Sequence, residues 1–532
     1  MQKKYAVLAL SLTAALSACG GGTPPKPAPE VPGVEMVTLT GAVAEGRAQE
    51  AADGAAVTVK GGGTAQTDAD GRFTVTAPKG LTEVTISKAG HASTRVVGLN
   101  TAETTELEEI LRPVFDATAT TKAPEISLTV LRGDPANPDA WKPVAPGETV
   151  NTFGSDVTFG VTVKVDRPEM NTFKTGIASI EVAGGTSGYL NAGTVRELYG
   201  DPRSQTTSLT FTAAELAAFQ GKVNLHVVAY DLNGNRVHLI QPLNVTSEKN
   251  MAAVVAPTKV MPRAVTYGDN LTFGPQSLTP AQQARLSAQV QSLGLQALGL
   301  GDSLTPQAAP RDASLWVDVR FEYPAEAKPR AFELWRSFDG TTYSKVFSAA
   351  PSAVAAGTGR YLMRDTSPQL TAGRQTHYKV LAVSDAGSAE SASASVTPLG
   401  RYTVQLNSPA QAQTGVSLTP TFTWTGTGQS DRTLTSVIVT DRVQAESYTT
   451  TWRSKTVPNG QSAVYNFDGS ALTPTLQPNH AYEWQVASVT MNGDGSAVAI
   501  AADYFNVFGL FASPSQSVRS APVSEFVTGG TQ

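Results

Sequence analysis

The sequence predicts an all-β chain built of tandem antiparallel β-sandwiches, and three observations predict it. The first is period-two alternation. Val157, Phe159, Val161, Val163 and Val165 alternate with small or polar residues, as do Val57 and Val59, Phe73 and Val75, and Val84 and Ile86. Later runs are Val317, Val319 and Phe321; Phe332 and Leu334; Tyr378, Val380 and Ala382; and Tyr482, Trp484 and Val486. Alternation puts one face of a strand in a core and the other in water. The second is turn chemistry between the runs. Asp70-Gly71, Asn233-Gly234, Asp339-Gly340 and Asn492-Gly493 are pairs that take positive φ and suit tight hairpins. The third is the scarcity of helical periodicity. At about 100–200 residues per domain, the 532 residues predict several such units.

Composition excludes several function classes. Lys and Arg number 40 against 45 Asp and Glu, a formal charge of −5. A nucleic-acid partner is not expected, because phosphates demand a concentrated basic face. A single cysteine rules out an intrachain disulfide and any multi-cysteine metal site. The five histidines are His91, His226, His238, His377 and His480, and none is paired with another at metal-ligand spacing. No cofactor site is indicated.

Lys3 and Lys4 precede an apolar run from Ala6 to Leu16, interrupted only by Ser11 and Thr13. This run is too short to span a hydrocarbon core of about 30 Å, and it fits the apolar region of a secretory signal. Leu16-Ser17-Ala18-Cys19 closes it and resembles a bacterial lipobox. The resemblance implies that residues 1–18 are removed and that Cys19 is lipid-modified as the new first residue. Residues 19–35 follow as a Gly- and Pro-rich tether, with prolines at 24, 25, 27, 29 and 32. Such a segment favours extended polyproline II and would hold the folded part off a membrane. The expectation is an extracytoplasmic, cell-envelope protein whose membrane partner is reached through lipid on Cys19.

Residues 36–112 form the first unit. Thr67-Asp68-Ala69-Asp70-Gly71-Arg72-Phe73 lets aspartate carboxylates accept backbone N–H groups while Gly71 supplies the unusual φ and Phe73 enters the core. With Val57, Val59, Val84 and Ile86, this run resembles the carboxypeptidase regulatory-like domain. The resemblance implies a small prealbumin-type sandwich with a structural or binding role. Residues 113–250 carry the second unit. Leu209 to Phe219 starts as strand and ends as an amphipathic turn, and Val223 to Asn235 reads as strand and hairpin turn. The latter run is similar to the last hairpin of bacterial immunoglobulin-like domains. Residues 251–309 break the pattern and read as a linker with one short helix. There Thr279 is N-cap, Pro280 the first helical residue, and Leu286, Val290, Leu293 and Leu295 the apolar positions.

Residues 310–399 resemble a fibronectin type III domain through Phe332-Glu333-Leu334-Trp335, Asp339-Gly340, and the pair Leu370 and Tyr378. Residues 400–511 repeat the theme with Phe422, Trp424 and the pair Leu476 and Tyr482. The resemblance implies a tyrosine corner in each, where a buried phenol ties back to nearby backbone. Leu476 and Tyr482 are six residues apart, the family spacing; Leu370 and Tyr378 are eight apart. Trp424 would be the core indole of its sheet. Residues 512–532 are rich in Ser, Pro and Gly and read as a flexible tail.

Motifs that resemble chemistry are outweighed by plainer readings. Gly301-Asp302-Ser303-Leu304 spells an esterase nucleophile block, but no histidine has an aspartate three residues before it, and a serine without a base is not activated. Arg132-Gly133-Asp134 spells an adhesion tripeptide, which occurs by chance in a chain this long. Asp53, Asp68, Asp70, Asp231, Asn233 and Asn235 are hard oxygen donors, yet turn formation explains them better than Ca²⁺, since no bidentate Glu completes a loop. His226 and His238 flank one hairpin without closing a metal site, and His91 reads as a packing residue. Core packing accounts for Trp316, Trp424 and Trp484. Trp335 and Trp452 are kept as weak candidates for sugar stacking. No catalytic residue and no metal ligand is assigned. The functional expectation is a non-catalytic structural or adhesion protein that binds envelope polysaccharide or surface protein. The alternative is an accessory carbohydrate-binding lipoprotein working beside glycan-processing enzymes.

Overall fold

The computed structural model describes residues 34–45, 50–111, 125–133, 137, 140–153, 156–166, 177–185, 194–196, 204–231, 235–267, 315–367, 369–428, 430–444, 447–494, 497–504 and 523–530. Met1–Glu35 and Met36–Gln532 are separate units, and the architecture below is that of the second. Cys19, Ser303, Asp134, Asn233, Gly234 and the expected helix from Thr279 lie outside the described residues. Among the described residues, no helix is long and apolar enough to cross a membrane.

The chain is all-β, as its alternation predicts. The first module pairs strand Met36–Glu45 with Arg72–Pro78 (antiparallel) and with Glu106–Leu111 (parallel). Its other sheet runs Thr64–Gln66, Ala56–Val59, Leu81–Ser87, Thr94–Asn100. The predicted inward residues Val57, Val59, Phe73, Val75, Val84 and Ile86 close one core between the sheets. The second module faces Glu125–Arg132, Val157–Asp166 and Ser204–Phe211 against Ile177–Gly185, Gly221–Asp231 and Arg236–Thr246. The amphipathic turn after Phe211 is a helix, Ala213–Ala217. Thr212 and Glu215 form a reciprocal capping box, and Leu216 is buried.

The third and fourth modules are also two-layered. In the third, Phe332, Leu334, Tyr378 and Val380 pack against Val317, Val319 and Phe321. In the fourth, Phe422, Trp424, Trp452, Tyr482 and Trp484 are packed together. The two tyrosine corners differ as their spacings suggest. Tyr482 Oη accepts the backbone N–H of Gln477 at 3.0 Å. Tyr378 Oη donates instead to the Asp365 carboxylate at 3.0 Å. The longer connection carries the phenol past the nearby backbone, and an acid side chain takes its hydrogen bond.

Three expectations need correction. Thr258–Tyr267, expected within the linker 251–309, is a strand of the third module, antiparallel to Leu315–Glu322. Pro262 obscures it in the sequence, since proline inside a run argues against a paired strand. Pro262 pairs with Val319 just after a register shift between Thr258 and Met261, and it precedes Arg263–Tyr267, the part of the strand that is bonded on both sides. Ser524–Thr528, expected in a flexible tail, is a strand paired with Ala481–Asp494, and Phe526 fills the fourth core. Asn492-Gly493 is not a turn: both residues remain paired, with Ala499 and Val498.

The modules are not independent beads. Arg236–Leu239 pairs in parallel with Thr94–Val97, so one sheet runs through the first and second modules. Arg263–Tyr267 pairs in parallel with Val498–Ala502 and joins the third and fourth in the same way. The antiparallel expectation therefore holds for most pairs within modules, with Met36–Glu45 and Glu106–Leu111 a parallel exception, and it fails at both junctions.

A buried charge cluster locks the first junction. Glu109 lies on the same face of its strand as Leu107 and Leu111, in the first core, and it is fully buried. Its Oε2 accepts from Arg236 Nη1 at 2.6 Å, and its Oε1 meets His238 Nδ1 at 2.6 Å. His238 Nε2 lies 2.9 Å from His226 Nδ1. Burial alone would raise the Glu109 pKa, but Arg236 and His238 together pull it below the usual carboxylate value. Removing one partner of a buried pair strands the other charge. Glu109→Ala is expected to cost about 3–5 kcal/mol in urea unfolding. A loss indistinguishable from that of an exposed Glu→Ala change would contradict this reading.

Candidate functional site

Where the first module meets the third lies a cleft of about 930 Å³. Its walls come from three places in the chain: the Met36–Glu45 and Arg72–Pro78 strands, the Gln369–Arg374 loop, and Gly400 with Arg401 between the third and fourth modules.

Local chemistry builds each wall. Asp68 Oδ1 accepts the backbone N–H of Asp70 at 3.0 Å and of Arg72 at 2.8 Å. Gly71 sits at φ 72°, the left-handed region that favours glycine. The turn thus delivers Phe73 and Val75 inward and leaves Arg72 and Thr74 outward, facing the cleft beside Thr40. Gly41 is required by close approach. A Cβ there would strike the Leu107 carbonyl oxygen and the Phe73 ring, so only glycine lets strand Glu106–Leu111 lie so near.

On the opposite wall, Gly373 (φ 78°) turns the loop and presents Arg374. The Arg374 guanidinium lies 3.8 Å from the centroid of Phe338, and that of Arg336 lies 4.8 Å from the same ring. Arg336 is neutralised: Nη1 donates to Asp365 at 3.0 and 3.2 Å, and Nη2 donates to Gln369 at 3.0 Å. Arg72 and Arg374 make no ion pair among the described residues. Burial first, then the positive charges of Arg72 and Arg336, pull the Arg374 pKa below the usual arginine value, with Asp70 opposing. At the rim, Glu106 accepts from Gln369 Nε2 at 2.9 Å.

Beneath the cleft, the first and third modules are clamped by Glu108. Ser367 Oγ donates to its Oε2 at 2.5 Å, and Arg336 Nη2 stands 3.8 Å from its Oε1. Alternation along Glu106–Leu111 therefore sends Glu106 and Glu108 to the third module and Glu109 to the second.

The residues singled out from sequence do not converge on this cleft, apart from Asp70. Asp68 is committed to its turn. The side-chain Oδ1 of Asn235 accepts from Ser93 N at 2.9 Å and from Ser93 Oγ at 3.2 Å, across the module junction. Among the described residues, no group of three His, Cys, Asp or Glu is placed to hold a metal. His91 Nε2 pairs with Glu45 at 3.2 Å. Arg132 stands 3.9 Å from Glu148. Trp316, Trp424 and Trp484 are buried, as expected. Trp452 is only 1% exposed, with its Nε1 donating to Asp468 at 3.0 Å; it presents no face to a sugar, which corrects its candidacy. Trp335 is half-buried on the outer sheet face, its Nε1 donating to Glu333 at 3.0 Å, between Lys345 and Lys379 on the adjacent strands. Sequence reading missed Arg72, Arg374, Arg401 and Glu108. The outward position of Arg72 after an Asp-Gly turn is legible; its meeting with a loop some 300 positions away is not.

No protein-family model matches the chain. An uncharacterized protein of Deinococcus radiodurans is 23% identical over 490 residues, spanning 76% of this chain and 90% of that one. Among solved structures, the FN1–FN3 domains of chicken CNTN1 align over 72% of this chain and 98% of theirs, at 12% identity and a TM-score of 0.26. A DUF3823 family protein from Bacteroides ovatus aligns over 40% of this chain and 99% of its own, at 9% identity and a TM-score of 0.18. A beta-1,2-glucanase from Parabacteroides distasonis aligns over 52% of this chain and 36% of its own, at 14% identity and a TM-score of 0.17. TM-scores this low establish no shared arrangement, and fold likeness alone does not carry function.

The clamp makes a pH prediction. Burial pushes the Glu108 carboxyl up to about 7 from its ordinary 4.5; Arg336 and the Ser367 hydrogen bond oppose this, while Glu106 and Asp365 add to it. A carboxyl whose pKa is raised by folding stabilises the folded state most when protonated. That stabilisation is complete below 4.5 and is lost as pH rises through about 7. Glu108→Gln should therefore flatten the fall in melting temperature between about pH 5 and about pH 8. Parallel profiles for variant and parent would contradict the assignment.

Proposed function

We propose that this protein is a lipid-anchored, extracytoplasmic protein of the cell envelope that acts without chemistry of its own, as a structural and binding element. Its β-sandwich modules hold a polar cleft, and that cleft is the observation that carries the binding role. The cleft is assembled from two modules and the connection to a fourth, and two of its three arginines, Arg72 and Arg374, make no ion pair among the described residues. Concave sites of a few hundred to about 1,000 Å³ with a few convergent polar groups are the usual form of ligand sites.

Anchoring rests on the sequence. Cys19 is the only cysteine, it closes an apolar run with two small residues before it, and a proline-rich spacer separates it from the folded unit beginning at Met36. One acyl chain holds a protein to a membrane only marginally, whereas two or three hold it stably, at about 0.8 kcal/mol per buried CH₂. The resemblances to carboxypeptidase regulatory-like, immunoglobulin-like and fibronectin type III modules fit a spacer-and-binder role. A second reading, an accessory carbohydrate-binding lipoprotein, is favoured by Trp335, the one tryptophan of the two candidates that keeps part of its surface on an open sheet face.

Intact-mass analysis of protein extracted from its native cells tests the anchor. The expected product begins at Cys19 and carries added acyl mass, and Cys19→Ser abolishes both the processing and the membrane association. A mature chain beginning elsewhere, or beginning at an unmodified Cys19, would refute the anchoring.

A further inference from the structure

We propose that the cleft between the first and third modules binds an anionic polysaccharide, gripping a carboxylate or phosphate group between Arg72 and Arg374. This rests on the binding role proposed above and names its ligand class.

Docking of the modules brings Arg72 and Arg374, together with Arg401, to one cleft, although like charges repel. Neither is neutralised by an ion pair among the described residues, in contrast to Arg336 and Arg364, each held by a buried aspartate. Arg374 is also pre-oriented. Its guanidinium lies over the Phe338 ring, 3.8 Å from the centroid, a cation–π contact that restrains the donor fork. A planar fork of N–H donors matches carboxylate or phosphate oxygens in a bidentate manner. An anion entering the cleft would relieve the repulsion that docking creates, and low-dielectric walls would strengthen its attraction.

The rest of the lining selects a sugar chain over an acidic peptide. Thr40, Thr74 and Thr371 supply hydroxyls, and Asp70 and Glu106 at the rim can accept hydrogen bonds from sugar hydroxyls. Peptide capture by strand addition needs an open sheet edge. The cleft strand Met36–Glu45 has none along Thr40–Ala44: on one side Thr40–Ala42 pair with Arg72–Thr74, Val43 bonds to Gly71 and Ala52, and Ala44 pairs with Ala51, while Glu106–Ile110 covers the other side. The volume of about 930 Å³ accommodates several sugar units.

The test is titration calorimetry on the full detergent-solubilised chain at low salt. The probes are oligogalacturonate (carboxylate), a glycerol-phosphate polymer (phosphate), neutral dextran and poly-glutamate. Binding of either anionic polymer is expected, and which one binds distinguishes the two anions. Affinity should fall about tenfold in Arg72→Gln, whose side chain is exposed, and again in Arg374→Gln, with a shallower salt dependence in each. Arg374→Lys keeps the charge and should recover only part of the loss. Unchanged melting temperatures in Arg72→Gln verify that folding is intact. The proposal is overturned if neither anionic polymer binds, if dextran or poly-glutamate binds as well as they do, or if Arg72→Gln binds like the parent. These outcomes are independent of the mass of the Cys19 product: an acylated chain that binds no anionic polymer sinks this inference and leaves the anchoring intact.

Discussion

The unpaired backbone groups at the edge of a β-sheet are the constraint on which the rest of this structure depends. Every sandwich ends in edge strands whose N–H and C=O groups must find water or another strand. Here two such edges find each other. Thr94–Val97 takes Arg236–Leu239, and Arg263–Tyr267 takes Val498–Ala502, each in parallel. Four modules thereby become two continuous sheets with their partners, and each junction is set in register by main-chain hydrogen bonds. Cores are shared across the junctions as well: Ile240 packs in the first core and Ala499 in the third.

The strand Glu106–Leu111 couples these two pairs. It contains three carboxylates in four residues, an unusual load for a largely buried strand. Period-two alternation resolves the load by sending them in two directions. Glu109 enters a desolvated cluster where Arg236 and His238 keep it charged. Glu108 turns to the third module, where partial compensation leaves its pKa raised to about 7. Glu106 reaches the cleft rim through Gln369. The same residue type thus serves as lock, pH-sensitive clamp and rim acceptor according to the charges that face it. Because the clamp sets the spacing of the first and third modules, it also sets the spacing of Arg72 and Arg374.

Much of the local structure was legible in the residues. Alternation located the strands of every module, Asp68 and Gly71 formed the expected turn, and Leu476 with Tyr482 gave the corner that its spacing implied. What failed was non-local. Pro262 concealed a strand because a proline argues against pairing and the strand's partners lie far along the chain, and Ser524–Thr528 looked like a tail because its partners precede it by tens of residues. The cleft was hidden for the same reason. Its arginines belong to different modules, and only docking brings them together. Trp452 illustrates the reverse error. Its place near a turn suggested exposure, but Phe422, Tyr465 and Phe467 enclose it.

Coupling of the modules by strand pairing is the central claim, since it builds the two module pairs that the clamp and the cleft then bring together. Amide hydrogen exchange on the intact protein tests it most directly, because an open edge strand exchanges freely while a strand bonded on both sides does not. Protection at Thr94–Val97, Arg236–Leu239, Arg263–Tyr267 and Val498–Ala502 should match that of the neighbouring antiparallel strands. Rapid exchange confined to these four segments, with the strands beside them protected, would show the modules to be separate and would contradict the account.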